Sequence, residues 1–392
     1  MTPGARVQTA IEILDAVIAA ARGNGAAADT VIAQEFRARR YAGSKDKRAI
    51  RELVYRAIRA FGTIPPSGRA AMLGLGLGDL DILEAFGGGG YGPAAQSADE
   101  PIAEPSLMAA WMADAFAPFM TGDELAALMA RAPLDLRVNR LKARREEVMA
   151  KIGGEALPNL PDALRFAEGF DVTSSPIFAE GLVEVQDAAS QWVAQICGVA
   201  PEMTVVDLCA GAGGKTLALS STMGGEGRLI ACDTDRARLS RLPERAARAG
   251  SQVETRLLNP KREEEALGDL VATADLVLVD APCSGSGTWR RNPELRWRLT
   301  PERLDQVAAL QAHVINLGAS LVRPGGHLVY AVCSLFSREG TGQIDAFLAQ
   351  QTGWLAEPLE FPIGRESGKG RMFTPFHDAT DGFFVARLKR SC

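Results

Sequence analysis

The sequence holds only 3 histidines and 6 cysteines in 392 residues. The cysteines, at 197, 209, 232, 283, 333 and 392, are too sparse for a disulfide scaffold, and no CxxC pair occurs. The histidines are too scattered to complete a zinc site with them, so no metal is expected. Long apolar runs are also missing. The apolar stretch near the N-terminus, VQTAIEILDAVIAAA, is interrupted by Glu12 and Asp15 and lacks a basic leader and a cleavage-like site. Neither a spanning helix nor a signal peptide fits it, and a cytoplasmic protein without membrane association is expected. An overall positive charge is absent too: the net charge is −5, which argues against a uniformly basic nucleic-acid binder. What is present is 47% hydrophobic and 23% charged residues, enough for two or three ordinary cores.

Local balance departs from that net charge. Between Phe36 and Ala60 stand Arg37, Arg39, Arg40, Lys45, Lys47, Arg48, Arg51, Arg56 and Arg59, against only Asp46 and Glu52. A solvated helical face explains such a run, and so does a phosphate-tracking surface, which the interleaved Phe36 and Tyr41 suit slightly better. Val7, Ala10, Ile11, Leu14, Val17 and Ile18, and again Ile50, Leu53, Val54 and Ile58, recur at helical spacing, so residues 1–86 read as an all-α domain. The stretch AFGGGGYGPAAQSADEP places a Gly/Pro/Ala-rich linker at 87–105. Short helices and a strand-helix pair make 106–180 a small α+β domain.

From 181 to 392 the rhythm is strand, helix, strand. TVVDLC, GRLIACD, ADLVLVD and GHLVYAVCS have no polar alternation, as parallel strands covered on both faces require. The expected fold is α/β, a doubly wound Rossmann-like sheet, with Pro243 kinking or splitting one of its helices. DLCAGAGGKT, joining the first of these strands to its helix, fits neither a P-loop, which needs glycine where Cys209 stands, nor a dinucleotide fingerprint, which needs glycine or alanine at Thr216. A glycine turn followed by Asp233 at the next strand end suits a nucleoside without a pyrophosphate.

DLCAGAGGKT, ACDTDRAR, VDAPCSGSGTWRRNPELRW, YAVCS and DGFFVARLK, in this order and with LRVN and VEVQDAASQ before them, resemble the NOL/NOP/Sun family of RNA cytosine-5 methyltransferases. The likeness spans about 130 to 392. KDKRAIRELVYRAIR is similar, more loosely, to the NusB-like RNA-binding domain of bacterial members. The resemblance implies S-adenosyl-L-methionine as cofactor, held by Cys209, Ala210, Gly211, Ala212, Gly213, Gly214 and Lys215, with Asp233 at the ribose, Asn259 at the adenine and Asp280 near the methyl end. It implies RNA, ribosomal RNA in bacterial members, as the partner of a chain expected to be a monomer. The chain departs from the family pattern at Ala212 and Gly213, where a proline usually precedes the paired glycines. It also departs at Asn259 for aspartate, Val332 for threonine and Gly340 for asparagine.

Carbon 5 of cytosine is a poor nucleophile, and thiolate attack at carbon 6 activates it by making an enamine. Asp280, three residues before Cys283, is placed to share a proton with ring nitrogen 3. Spacing does not decide whether Cys283 or Cys333 attacks. The resemblance assigns attack to Cys333 and product release to Cys283, whereas DNA cytosine-5 methyltransferases use the cysteine of a Pro-Cys pair. Arg290, Arg291 and Arg296 are expected to meet flanking phosphates, and Trp289 and Trp297 to stack on bases or pack internally. Two other readings stay open. A non-catalytic RNA-binding or ribosome-assembly factor is disfavoured by the presence of both thiols with Asp280, and amino-group methylation is a poor fit to DAPCSG.

Overall fold

A computed structural model describes residues 1–23, 25–166 and 170–392. The chain forms two compact units, Met1–Ala130 with Thr288–Arg303, and Arg131–Gly287 with Leu304–Cys392.

The first unit is helical: α1 (Pro3–Arg22), α2 (Ala28–Ala38), α3 (Ser44–Ala60), α4 (Gly68–Gly76) and α5 (Leu80–Glu84). Thr2 starts α1 by accepting from the Ala5 amide at 3.2 Å, with Pro3 at the first helical position, where its missing N–H costs nothing. Val7, Ala10, Ile11, Leu14, Val17 and Ile18 are all buried, and they meet Ile50, Val54 and Ile58 of α3 in one core. The opposite face of α3 leaves Lys45, Arg48 and Arg51 exposed, as are Arg37 and Arg40 before it. Other members of the basic run are paired: Arg39 with Glu12 at 2.8 Å and with Glu35, and Arg56 with Asp79 at 2.7 Å. Phe36 is buried in the core and does not interleave with the charged surface, whereas Tyr41 is exposed.

Two stretches lie differently from the sequence reading. Residues 87–105, expected as a linker, belong to the helical unit. Gly87, Gly89 and Gly90 take positive φ, and Arg69 donates to the carbonyls of Ala94 (3.0 Å) and Ala95 (3.2 Å) and pairs with Glu100. The Ala103 amide then donates to Ala70 at 3.0 Å, beside a buried Ala103 side chain. Residues 288–303, expected at an RNA-facing edge, are likewise part of this unit. Trp289 is fully buried, edge-to-face on Phe116 with centroids 5.7 Å apart. Arg296 is 1% exposed and donates to the carbonyls of Ile58 (2.6 Å), Arg59 (2.8 Å) and Phe61 (3.1 Å) at the end of α3. Trp297 donates its indole N–H to the same Phe61 carbonyl at 2.7 Å, and Glu294 accepts from the first amide of α2, Ala28, at 3.1 Å. Arg290 is buried as well. Carbonyls at a helix end need donors, and a guanidinium supplies several from one plane, so Glu294, Arg296 and Trp297 stabilise the ends of α2 and α3 and are turned away from solvent.

The second unit contains two sheets. The smaller joins β1 (Leu134–Val138), β2 (Glu155–Ala156), β3 (Ala163–Phe166) and β4 (Val183–Val185) in the order β2-β3-β1-β4, all antiparallel. Because Leu136 pairs with Val185 and Val138 with Val183, this sheet runs across the boundary expected at 180/181. The larger sheet has β5 (Thr204–Asp207), β6 (Arg228–Asp233), β7 (Glu254–Leu257), β8 (Ala274–Asp280) and β9 (Val322–Val332) parallel in the spatial order β7-β6-β5-β8-β9. Val205, Val206, Ile230, Val277, Leu278, Leu328 and Val329 are completely buried, as the unalternating apolar runs predict. Beyond β9 the sheet turns antiparallel: β13 (Phe383–Arg390) pairs with β9, then with β12 (Gly370–Phe373) and β10 (Trp354–Ala356), and β11 (Arg365–Ser367) closes that edge. The helix containing Pro243 is split into Arg236–Leu239 and Leu242–Ala249, as its proline predicts. No described helix is long and apolar enough to cross a membrane.

Candidate functional site

In a sheet of this topology the carboxyl ends of the parallel strands collect the chemistry. Asp207 ends β5, Asp233 ends β6, Asp280 ends β8, and Cys333 follows β9, so four neighbouring strands deliver these side chains to one edge. The turn after β5 is shaped by two glycines in the left-handed region, Gly211 at φ +56° and Gly213 at φ +86°. A β-carbon on Gly213 would stand 2.1 Å from Leu242 Cδ1, and one on Gly211 would stand 2.3 Å from the Arg238 guanidinium. Only glycine fits both places, which is the physical content of the CAGAGG phrase.

Asp233 is buried and accepts the Gly211 amide at 2.6 Å and the Asp235 amide at 2.7 Å. A carboxylate has about four acceptor positions, so two remain for the paired hydroxyls of a ribose. The back of the turn is held by Arg245, donating to the Ala212 carbonyl at 2.5 Å, and by Gln186, donating to Gly214 at 3.2 Å. Lys215 reaches from the start of the following helix to Asp280, 2.8 Å away, with its ammonium 4.8 Å from the centroid of the Phe383 ring. Burial alone would lower its pKa, but the Asp280 carboxylate more than offsets this and holds the ammonium above its ordinary value. Asp207 accepts from Thr216 Oγ1 at 2.6 Å through one oxygen, while its other oxygen is buried without a hydrogen-bond partner. Burial pushes this carboxyl up to about 7. Asn259 is exposed at the end of β7, one strand beyond Asp233, and Cys209 and Ala210 lie half-buried in the turn.

The two thiols meet. Cys283 Sγ and Cys333 Sγ are 3.2 Å apart, both half-buried, from loops that follow the adjacent strands β8 and β9. The hydrogen bond from Cys333, then burial, then the charges of Cys333 and Glu339 push the Cys283 thiol well above its ordinary value. Cys197 and Cys232 are core residues, and burial likewise raises both, Cys232 to about 12. The structure therefore brings together Gly211 with Asp233, Lys215 with Asp280, and Cys283 with Cys333. Among the described residues no cluster of three or more His, Cys, Asp or Glu could hold a metal.

Sequence reasoning missed one component. Glu339 is completely buried and accepts from the Ser284 amide at 2.8 Å, from both Ser284 and Ser334 hydroxyls, and from Gln311 Nε2 at 2.9 Å. The signal was present: each of the two cysteines is followed directly by serine, Cys283-Ser284 and Cys333-Ser334.

The family described as 16S rRNA methyltransferase RsmB/F matches residues 194–389. A Synechocystis relative named "Probable ribosomal RNA small subunit methyltransferase B" is 39% identical over 269 residues, covering 66% of this chain and 60% of the relative. Ribosomal RNA small subunit methyltransferase B of Xanthomonas campestris pv. campestris is 35% identical over 265 residues, with the same two coverages, 66% and 60%. The match thus spans about three-fifths of the length of these curated relatives. The crystal structure of PH0851 superposes with a TM-score of 0.79 at 24% identity, over 100% of this chain and 99% of its own, and it shares the fold. A glycine turn bonded to Asp233, a Lys215–Asp280 pair and two facing thiols lie inside the matched span, and the chain belongs to the 16S rRNA methyltransferase RsmB/F family.

Proposed function

We propose that this chain methylates carbon 5 of a cytosine in small-subunit ribosomal RNA, using S-adenosyl-L-methionine as methyl donor and a covalent adduct to Cys333. The observation that carries this reading is the Cys283–Cys333 pair, 3.2 Å apart at the ends of the two strands next to the one that bears the glycine turn. The names of the relatives support a ribosomal RNA substrate. The exposed cations Arg37, Arg40, Lys45, Arg48 and Arg51 of the helical unit suit its phosphates.

The residues present fit the cofactor. The turn Cys209–Lys215 offers glycine-lined backbone, Asp233 offers two acceptor positions, and Asp280 and Asn259 lie at the ends of the strands flanking β5 and β6 on either side. When bound, S-adenosylmethionine supplies an electrophilic methyl group. The protein's own task is to make carbon 5 reactive. Cys333 forms a sulphur–carbon 6 bond, and the displaced electron pair moves through the ring to carbon 5. Asp280 shares a proton at nitrogen 3; Lys215 engages its Oδ2 and leaves Oδ1 for the ring. After methylation, loss of the carbon 5 proton re-forms the double bond and breaks the bond to Cys333, with Cys283 beside that sulphur to assist release.

Bisulfite sequencing of small-subunit ribosomal RNA tests the reaction. A cytosine protected in the parent strain should become convertible in a strain lacking the gene, and an unchanged conversion pattern would overturn the reading. Cofactor binding has its own test. Asp233→Ala should weaken S-adenosylmethionine by roughly 1.5–3 kcal/mol in isothermal titration, the worth of hydrogen bonds to a charged acceptor. Unaltered affinity would remove Asp233 from the site.

A further inference from the structure

We propose that Glu339 is a positioning residue that ties the two cysteine loops together and decides which thiol attacks. The proposal rests on the reading that this thiol pair performs the chemistry. Its basis is geometric. Glu339 lies six residues past Cys333, is fully buried, and its carboxylate meets both thiol loops. One oxygen accepts the Ser284 amide at 2.8 Å and Gln311 Nε2 at 2.9 Å. The other takes the hydroxyls of Ser284 and Ser334, the residues directly after Cys283 and Cys333. The two hydroxyls also approach each other at 3.2 Å, and Ser286 closes the ring with contacts to Ser334 Oγ at 3.0 Å and to the Leu335 amide at 2.9 Å. Gln311 anchors the assembly to the long helix Pro301–Leu321 and to the Pro282 carbonyl at 2.9 Å, just before Cys283. Tyr330 fixes the main chain at Glu339 itself, donating to its carbonyl at 2.7 Å. The bonds from Ser284 to Glu339 and from Ser284 and Ser286 to the Ser334–Leu335 segment hold one loop against the other, and the sulphurs stand 3.2 Å apart across that junction.

The charges around the pair are unequal. Two sulphurs in contact lose their protons in two steps that belong to the pair, so the first proton leaves the end that better tolerates an anion. Glu339 opposes an anion at Cys283, after the contributions of the Cys333 hydrogen bond and of burial. Cys333 instead lies near the Lys215 ammonium, whose proton affinity it raises after Asp280 has done so. Tyr330, which also faces Cys283, is held well above its ordinary value by burial and stays neutral. Glu339 and the Cys333 contact therefore hold the proton on Cys283 while its neighbour attacks.

The test needs no RNA. Limiting iodoacetamide, applied to the intact protein over a range of pH, reports each thiolate separately when Cys283 and Cys333 peptides are quantified by mass spectrometry. In the wild type Cys333 should be alkylated first, at the lower pH. Glu339→Gln keeps the shape and removes the charge, so Cys283 alkylation should move to lower pH and the preference for Cys333 should shrink by roughly tenfold, the equivalent of one pKa unit. Glu339→Asp restores the charge and should restore the preference, which a merely structural role would not require. Preferential alkylation of Cys283 in the wild type, a measurement independent of any variant, would overturn the proposal, as would an unchanged ratio in Glu339→Gln. Failure of the methylation reading would show in the bisulfite pattern alone, and failure of this inference in the alkylation ratio alone.

Discussion

Cys333→Ala should form no covalent complex with RNA and transfer no methyl group, whereas Cys283→Ala should accumulate a methylated RNA–protein complex that survives denaturing electrophoresis. Without a sulphur to attack carbon 6 the ring never becomes an enamine, so the first variant loses the reaction before it begins. With Cys333 intact and its neighbour gone, attack and methylation proceed but release is impaired. The same gel therefore gives opposite results for two residues whose sulphurs are 3.2 Å apart. Thiol catalysis typically makes the whole difference between reaction and none, and the loss expected for Cys333→Ala is at least about 10³-fold. A trapped complex in Cys333→Ala and none in Cys283→Ala would exchange the two roles. Wild-type methylation by both variants would exclude covalent catalysis.

Arg296→Ala should destabilise the helical unit by about 3–5 kcal/mol, a large fraction of what holds a domain together. The guanidinium is 1% exposed and donates to three main-chain carbonyls at the end of α3. Burial lowers its pKa to about 10, which still leaves it charged at neutral pH. Removing it takes the donor from the Ile58 and Arg59 carbonyls, while the Phe61 carbonyl keeps the Trp297 indole, and hydrogen bonds to a charged group are individually worth about 1.5–3 kcal/mol. Arg296→Lys should recover little, because an ammonium cannot reproduce the planar fork. Guanidine titration followed through amide exchange in α3 measures the effect. A change within about 0.5 kcal/mol would show that these bonds contribute no more than an ordinary surface contact.

Local pattern was enough for much of this architecture. The helical face of Val7, Ile11, Leu14 and Val17, the four apolar runs that become β5, β6, β8 and β9, and the break at Pro243 all depend on neighbours in sequence, and each is found where its spacing puts it. The glycine turn was equally legible, because left-handed backbone at Gly211 and Gly213 is a local demand. Interactions between distant positions were not. TWRRNPELRW combines aromatic and basic residues as an RNA-binding loop does, but Arg296 meets Ile58 across 238 positions and Trp297 meets Phe61 across 236. Composition cannot separate a guanidinium that caps a helix from one that meets a phosphate. The same holds for Glu339, whose bonds to Ser284 cross 55 positions. The antiparallel strands after β9 were visible only as a phrase, DGFFVARLK, since pairing direction has no local signature.

Segment 288–303 has a further consequence, for the order in which the protein can be made. A chain emerging from the ribosome usually folds its first domain as soon as that domain is out. Here residues 1–130 lack part of their own interior, because Trp289, Arg296 and Trp297 have yet to be translated. The α3 carbonyls must stay solvated, and the surfaces those tryptophans will cover must stay open, while the strands β1 to β8 are synthesised in between. Completion of the helical unit is thus deferred until most of the sheet bearing the chemistry already exists, and a chain broken off before Thr288 leaves a first unit that cannot close.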